Sequence, residues 1–170
     1  QNGEAKIGTY HCTGTFYGSI DFDGHSITVE FNNSNQNAST SKGMIEALGP
    51  DAVIENMVLN FVVDGTRNLS YERGASFIYR NEGTLRNIVI NNDYRTGRLG
   101  HYQNAPVINN VGTVENFSIS YSATSTNYSA TQMAGLAVNN FGGTIRNGYV
   151  YSSRDRVIGS GIYTGSSGDR

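Results

Sequence analysis

The chain has 170 residues, of which 37% are hydrophobic and only 15% are charged, and 12 basic against 14 acidic side chains leave a net charge of −2. This composition predicts one packed domain spanning 1–170. It supplies no basic field for a nucleic-acid backbone and no apolar stretch of about 18 residues, so we expect neither nucleic-acid binding nor membrane insertion.

Residues 14–42 are interpreted as an opening coil and a loop. Apolar and polar residues alternate on both sides of Asp23-Gly24, which predicts two short strands joined by a turn. Gly tolerates positive φ and Asp bonds nearby backbone, so this dipeptide is typical of turns. Residues 32–42 have no apolar periodicity and are expected to form an exposed loop.

Residues 43–151 contain a repeated unit at 52–60, 83–91, 112–120 and 143–151, each with an asparagine at its fifth position. The asparagines are 31, 29 and 31 residues apart, a period typical of stacked repeats. A short apolar run precedes each unit, at 43–45, 75–78, 105–108 and 134–138. Each repeat is therefore expected to contain a short strand followed by the asparagine unit.

The positions two before and three after the asparagine are aliphatic in every unit. They are five apart, so a straight strand would place them on opposite faces. A bend at the asparagine, which tolerates the left-handed conformation, would bury both. The predicted corner residues, expected to form an amide ladder, are Asn56, Asn87, Asn116 and Asn147. The glycine that opens the later units is expected to supply an unusual backbone angle at the preceding corner.

The position just before each asparagine alternates in charge. If the repeats stack in register as parallel strands, opposite charges then lie side by side on the outer face of the sheet. Exposed pairs of this kind contribute only about 0 to 1 kcal/mol, so they favour the register more than the stability. The predicted structural charge ladder is Glu55, Arg86, Glu115 and Arg146.

These patterns predict an all-β fold, a right-handed parallel β-helix (solenoid) of about five coils with about 30 residues each. The alternative is an antiparallel β-sandwich, which leaves the period unexplained. No segment has a helical period. Residues 152–170 are expected to start a further coil or form a tail, and the open coil ends to pair with neighbouring copies or further domains.

The units Gly-Thr-Leu-Arg-Asn-Ile-Val-Ile at 83–90 and Gly-Thr-Val-Glu-Asn-Phe-Ser-Ile at 112–119 resemble GLUG-type repeats of bacterial surface proteins. The opening segment 18–27 is similar to the start of the β-helix in the N-terminal, non-catalytic region of immunoglobulin A protease-type metallopeptidases. The zinc motif His-Glu-x-x-His is absent from this chain. The resemblance thus implies a non-catalytic β-helix that is extracellular or at the cell surface.

A loop at 91–104 mixes aromatic, charged and amide side chains, a set suited to stacking on a sugar and bonding its hydroxyls. The alternative is a plain solvent-exposed loop. The candidate binding residues are Asp93, Tyr94, Arg95, Arg98, His101 and Tyr102.

Catalytic residues are harder to find. Asp21 and Asp23 are the nearest approach to a paired-carboxylate site, but a turn-forming Asp23 and a solvated Asp21 are the simpler interpretation, and His25 is expected to pack at the turn. The three histidines lack metal-ligand spacing, so no metal or cofactor is expected. The favoured hypothesis is a structural, adhesive or self-assembling surface module, with a host surface or glycans as possible ligands. The alternative is a carbohydrate-active β-helix enzyme, a polysaccharide lyase or glycosidase, or a glycan-binding module.

Overall fold

The computed structural model describes residues 12–32, 44–64, 77–94, 106–123 and 136–152. Over these ranges the chain forms strands and turns and no helix. The strands are β1 (Cys12–Phe16), β2 (Ser19–Asp21), β3 (Ser26–Asn32), β4 (Ile45–Leu48), β5 (Val53–Asp64), β6 (Ile78–Asn81), β7 (Thr84–Tyr94), β8 (Val107–Asn110), β9 (Thr113–Ala123), β10 (Ala137–Asn140) and β11 (Thr144–Ser152).

The strands form two sheets, and from β3 onward the chain visits them in alternation. One sheet has the order β1-β4-β6-β8-β10, and the other has the order β11-β9-β7-β5-β2, with β3 also paired to β5. Every strand pairing between described residues is parallel. The all-β class and the parallel pairing are therefore confirmed, and the antiparallel sandwich is wrong for this part of the chain.

The asparagine units lie in the second sheet in a constant register. Val53 pairs with Thr84, Thr84 with Thr113, and Thr113 with Thr144. We call such a set of in-register residues, one from each strand, a column. Columns continue on both sides of each asparagine, so the 29- and 31-residue spacings stack the units without a shift.

The core contains the two aliphatic positions that the sequence predicted. Ile54 and Leu59 are 1% and 0% exposed, and their equivalents in β7 and β9 are also buried, whereas Ile145 and Val150 in β11 are only partly buried. The position directly after the asparagine is buried as well in three repeats, as Met57, Ile88 and Phe117. Each fully buried side chain of this size contributes about 1.5 to 3 kcal/mol.

The opening coil also follows the prediction of two strands and a turn. Asp23 and Gly24 have φ of 49° and 77°, and β2 and β3 pair with the two halves of β5. Residues 22–25 of this turn lie opposite residues 56–57 of β5, so the first corner is longer than those that follow.

The short strands begin later than the apolar runs suggested. β6 starts at Ile78, the last residue of its run, and continues to Asn81, which is 0% exposed. β8 likewise ends at the buried Asn110. The predicted ends of these strands were wrong because the hydrophobic pattern treats asparagine as a surface residue, whereas the strands continue to a buried asparagine.

The glycines before the units do not have the role predicted for them. Gly83, Gly112 and Gly143 lack positive φ. A Cβ at Gly83 would lie 2.5 Å from Gly49 O and even closer to Ala52 O, and one at Gly112 would overlap Gly83 O. Glycine is needed here because adjacent strands approach too closely for any side chain.

Candidate functional site

The four predicted corner residues share one backbone conformation. Asn56 and Asn147 have φ of 55°, and Asn87 and Asn116 have φ of 53°. These are left-handed values, which asparagine tolerates better than other non-glycine residues. The change of conformation brings the aliphatic residues before and after the asparagine to the same core.

Their side chains form a hydrogen-bonded ladder along the sheet. Asn147 Nδ2 donates to Asn116 Oδ1 at 3.4 Å, and Asn116 Nδ2 donates to Asn87 Oδ1 at 3.0 Å. Asn87 Nδ2 then donates to Asn56 Oδ1 at 2.9 Å. All donors point toward the N-terminal strands, so the ladder has a direction.

Asp21 terminates this corner ladder, a role that sequence reasoning missed. Its Oδ1 accepts from Asn56 Nδ2 at 2.9 Å and from the Asp23 amide at 2.8 Å. These two hydrogen bonds, the Asn56 bond first, lower the pKa of Asp21 below its ordinary value of 3.8. A carboxylate suits this end because it accepts hydrogen bonds and has no proton to donate.

The four residues of the predicted charge ladder lie in one column, in the predicted order. Asp21 extends this column at its N-terminal end. Arg86 Nε lies 2.6 Å from Glu55 Oε2, and Arg146 Nε and Nη2 lie 2.7 and 2.5 Å from Glu115 Oε2. The bond to Glu55 and its charge raise the pKa of Arg86. Both glutamates of the column are thus engaged by arginines.

A second amide ladder runs through the first sheet and was not predicted. Asn81 Nδ2 donates to Asn110 Oδ1 at 2.7 Å, Asn110 Nδ2 to Asn140 Oδ1 at 2.8 Å, and Asn140 Nδ2 to Gly143 O at 2.9 Å. Asn81 Oδ1 has no partner within the described part of the chain, because its neighbour in the column is Leu48. The sequence signal was an asparagine shortly before each Gly-Thr, as in Asn-Glu-Gly-Thr at 81–84.

The outer face of the second sheet carries hydrogen-bonded polar side chains and, in β11, two tyrosines. Asn91 Nδ2 donates to Asn60 Oδ1 at 2.9 Å, and Ser120 Oγ donates to Asn91 Oδ1 at 3.0 Å. In β11 the same face presents Tyr149 and Tyr151, which are 64% and 60% exposed. Sequence reasoning did not single out these two tyrosines.

The predicted binding loop is described only at its start. Asp93 and Tyr94 are the last residues of β7, and Ser122 Oγ lies 3.5 Å from Asp93 Oδ1. The other candidates, Arg95, Arg98, His101 and Tyr102, lie outside the described residues. The proposed sugar-binding set therefore stays a prediction.

The possible acidic pair at the opening turn has two different roles. Asp21 ends the corner ladder, and Asp23 takes the left-handed conformation of the turn. The His25 side chain is exposed, so the prediction that it packs at the turn was wrong. Its backbone is engaged instead, because the amide donates to Phe22 O at 2.7 Å and the carbonyl accepts from Val58 N at 3.2 Å. Among the described residues no three acidic, histidine or cysteine side chains form a metal-binding group.

Comparisons with known proteins add no family to this geometry. The described ranges contain no helix long and apolar enough to span a membrane. Searches against protein-family models, curated proteins and solved structures find no match for this chain. The resemblance to GLUG-type repeats therefore remains a prediction from the sequence.

Proposed function

We propose that the chain is a non-catalytic structural and adhesive module, built as a right-handed parallel β-helix with about 30 residues per coil and displayed outside the cell. The observation that carries this proposal is that the functional groups repeated along the sheets bind one another. Corner amides bond to amides, and both glutamates of the charge column bond to arginines. Such side chains hold repeats together and leave little chemistry for a substrate.

The solenoid is supported by the path of the chain. From β3 onward, successive strands alternate between two parallel sheets, and the second sheet adds each repeat beside the one before. A β-helix produces this order because each coil adds one strand to each sheet.

The competing hypothesis of a glycosidase or lyase needs free carboxylates on an exposed face. The proposal predicts that acidic and neutral polysaccharides keep their chain length when incubated with the protein, as followed by size-exclusion chromatography. Depolymerisation that Glu55→Gln or Asp21→Asn abolishes would assign catalysis to this column and contradict the proposal. The variant Asp51→Asn, at an exposed turn, is the matched control.

A second candidate function, glycan binding, is favoured by Tyr149 and Tyr151. They are two residues apart on one strand, so their rings project from the same face about 6.6 Å apart. Ser118 and Ser120 lie in register beside them on β9. Exposed aromatic faces flanked by hydroxyls can stack on sugar rings and bond their hydroxyls.

A glycan array tests this second function. The expected result is binding that the double variant Y149A/Y151A abolishes and that Tyr17→Ala retains, since Tyr17 is equally exposed but lies between β1 and β2. Equal binding by all three proteins, or by none, would contradict a site at the tyrosine pair.

A further inference from the structure

At each end of the two sheets, the outermost strand pairs with only one other strand among the described residues. β10 and β11 form the C-terminal edge, and β1, β2 and β3 form the N-terminal edge. Such edges present backbone donors and acceptors to any strand that matches their register.

The two edges are opposite ends of the same columns. Successive pairings place Thr144, Ile145 and Arg146 in the columns that begin with Ser19, Ile20 and Asp21. A second copy placed with its β2 and β3 beside β11 would therefore continue these columns in the way that β2 and β3 continue the columns of β5.

The backbone hydrogen bonds of these columns are compatible with this continuation. Thr144 N donates to Gly112 O at 2.9 Å, and Thr113 N donates to Gly83 O at 2.8 Å. Following the same pattern, Gly143 O points beyond β11, and the Ser19 N–H points beyond β2. Gly143 O already accepts a hydrogen bond from Asn140 Nδ2. A second bond is still possible, because a carbonyl oxygen has two lone pairs. Gly112 O shows this, since it accepts from both Asn110 Nδ2 and Thr144 N.

The charges at the two edges are opposite. Arg146, whose side chain is 61% exposed, lies at the C-terminal edge, and Asp21 lies at the N-terminal edge. Arg146 uses Nε and Nη2 on Glu115. Among the described residues Nη1 has no acceptor, so its two N–H donors can bond to a second copy. The direction of the corner ladder leaves acceptors at both edges, Asn147 Oδ1 and the Asp21 carboxylate, so a junction needs the donor that Arg146 provides.

The core is also incompletely covered at both edges. Ile145 and Val150 are partly buried at the C-terminal edge, and Ile27 is partly buried at the N-terminal edge, where Ile20 is 37% exposed. Ile145 shares a column with Ile20, and Val150 with Ile27. Continued columns would cover aliphatic residues with aliphatic residues.

We infer that the C-terminal edge binds the N-terminal edge of a second copy of this chain, with Arg146 of one copy beside Asp21 of the next. This interface rests on the proposed structural function and specifies its partner. It is heterologous, joining different surfaces on the two copies, so it propagates into filaments rather than stopping at a dimer. The ion pair selects the register, and the strand edges and aliphatic residues provide the contact area.

Charge reversal tests the interface by sedimentation velocity across a concentration series. R146E alone would place two carboxylates side by side at the junction, and D21R alone would place two guanidinium groups there, so each should lower the association constant by about tenfold or more. An equimolar mixture should regain association, because each junction between the two variants again joins opposite charges. The wild-type association should weaken at high salt.

The matched controls are R80E and D51R, which reverse the same charges away from the two edges. Arg80 is exposed in β6, and Asp51 is exposed at a turn. Both variants should associate like the wild type. Circular dichroism of each variant checks that the monomer is folded; if a reversal unfolds it, R146Q and D21N replace the pair, and each should weaken association. Two results would overturn the head-to-tail interface. One is wild-type protein that stays monomeric at every concentration, and the other is a mixture of R146E and D21R that associates no more strongly than either variant alone. A folded monomer without enzymatic activity would leave the proposed structural function intact.

Discussion

Asparagine meets two separate requirements at each corner of the second sheet. Its backbone takes the left-handed conformation, and its amide both donates and accepts within the ladder. Glycine would satisfy only the first requirement, and aspartate would satisfy only the acceptor half of the second. Aspartate occurs instead at position 21, the end of the ladder, where only an acceptor is needed.

Replacing Asn87 with valine should destabilise the protein, because a β-branched residue is strained at φ near 53° and cannot bond to Asn56 or Asn116. Strain of this kind costs about 1 to 3 kcal/mol, and the lost hydrogen bonds add to it. The measurement is the free energy of unfolding by denaturant. Asn91→Val is the control, since Asn91 lies in the same strand and lacks positive φ. Asn87→Gly should lower the free energy of unfolding less than Asn87→Val does. An unchanged free energy of unfolding for Asn87→Val would refute the corner role.

The lowered pKa of Asp21 makes part of the stability depend on pH. The folded pKa lies below the ordinary 3.8, so this contribution is complete above 3.8 and is lost as the pH falls through the folded value. Melting temperatures of the wild type and D21N, recorded from about pH 5 to about pH 2, should converge toward acid. A difference that stays constant over this range would show that the Asp21 charge does not stabilise the fold.

At the scale of strands, the sequence predicted the asparagine units better than the segments between them. The corner followed from parity, because Leu85 and Ile90 are both apolar and five residues apart. The strand ending at Asn81 was misjudged because a buried amide is satisfied by an amide of the next repeat, a contact that hydrophobicity does not register. The role of Gly112 was also hidden, since the close approach of Gly83 O depends on the distance between strands. The binding residues proposed for 91–104 stay a prediction beyond the end of β7.

The buried ladder in the first sheet should be intolerant of substitution. Asn110→Leu would leave Asn81 Nδ2 with only its long contact to Thr113 O at 3.5 Å, and it would remove the donor to Asn140 Oδ1. Each unsatisfied buried group costs about 1 to 3 kcal/mol. Thermal and denaturant unfolding should show a loss of this order, while Asn91→Leu on the exposed ladder should lose less. Equal losses at the two positions would mean that burial of the amide ladder is unimportant.

At the scale of the molecule, the proposed β-helix is a stack in which each repeat contacts its neighbours. Its stability is then approximately a sum of repeat and interface contributions, as expected for a linear array. Register depends on the columns, since a shift by one residue would move core residues to the outer face. The same columns that join repeats within one chain provide the geometry for joining two chains. Stacking is therefore the property from which both the stability and the proposed function follow.

The most direct test of this stacking is insertion of a second copy of residues 56–115 directly after Glu115. The insertion keeps an asparagine after each residue of the charge column, and it preserves the alternation of glutamate and arginine along that column. Two further coils should therefore join the stack. Small-angle scattering of the monomer should show a maximum dimension greater by about 9 to 10 Å, twice the spacing of parallel strands, with cooperative unfolding retained. A scrambled insert of the same composition is the control and should add disordered chain. An intact insert that leaves the dimension unchanged, or that unfolds the protein, would contradict the stacked β-helix.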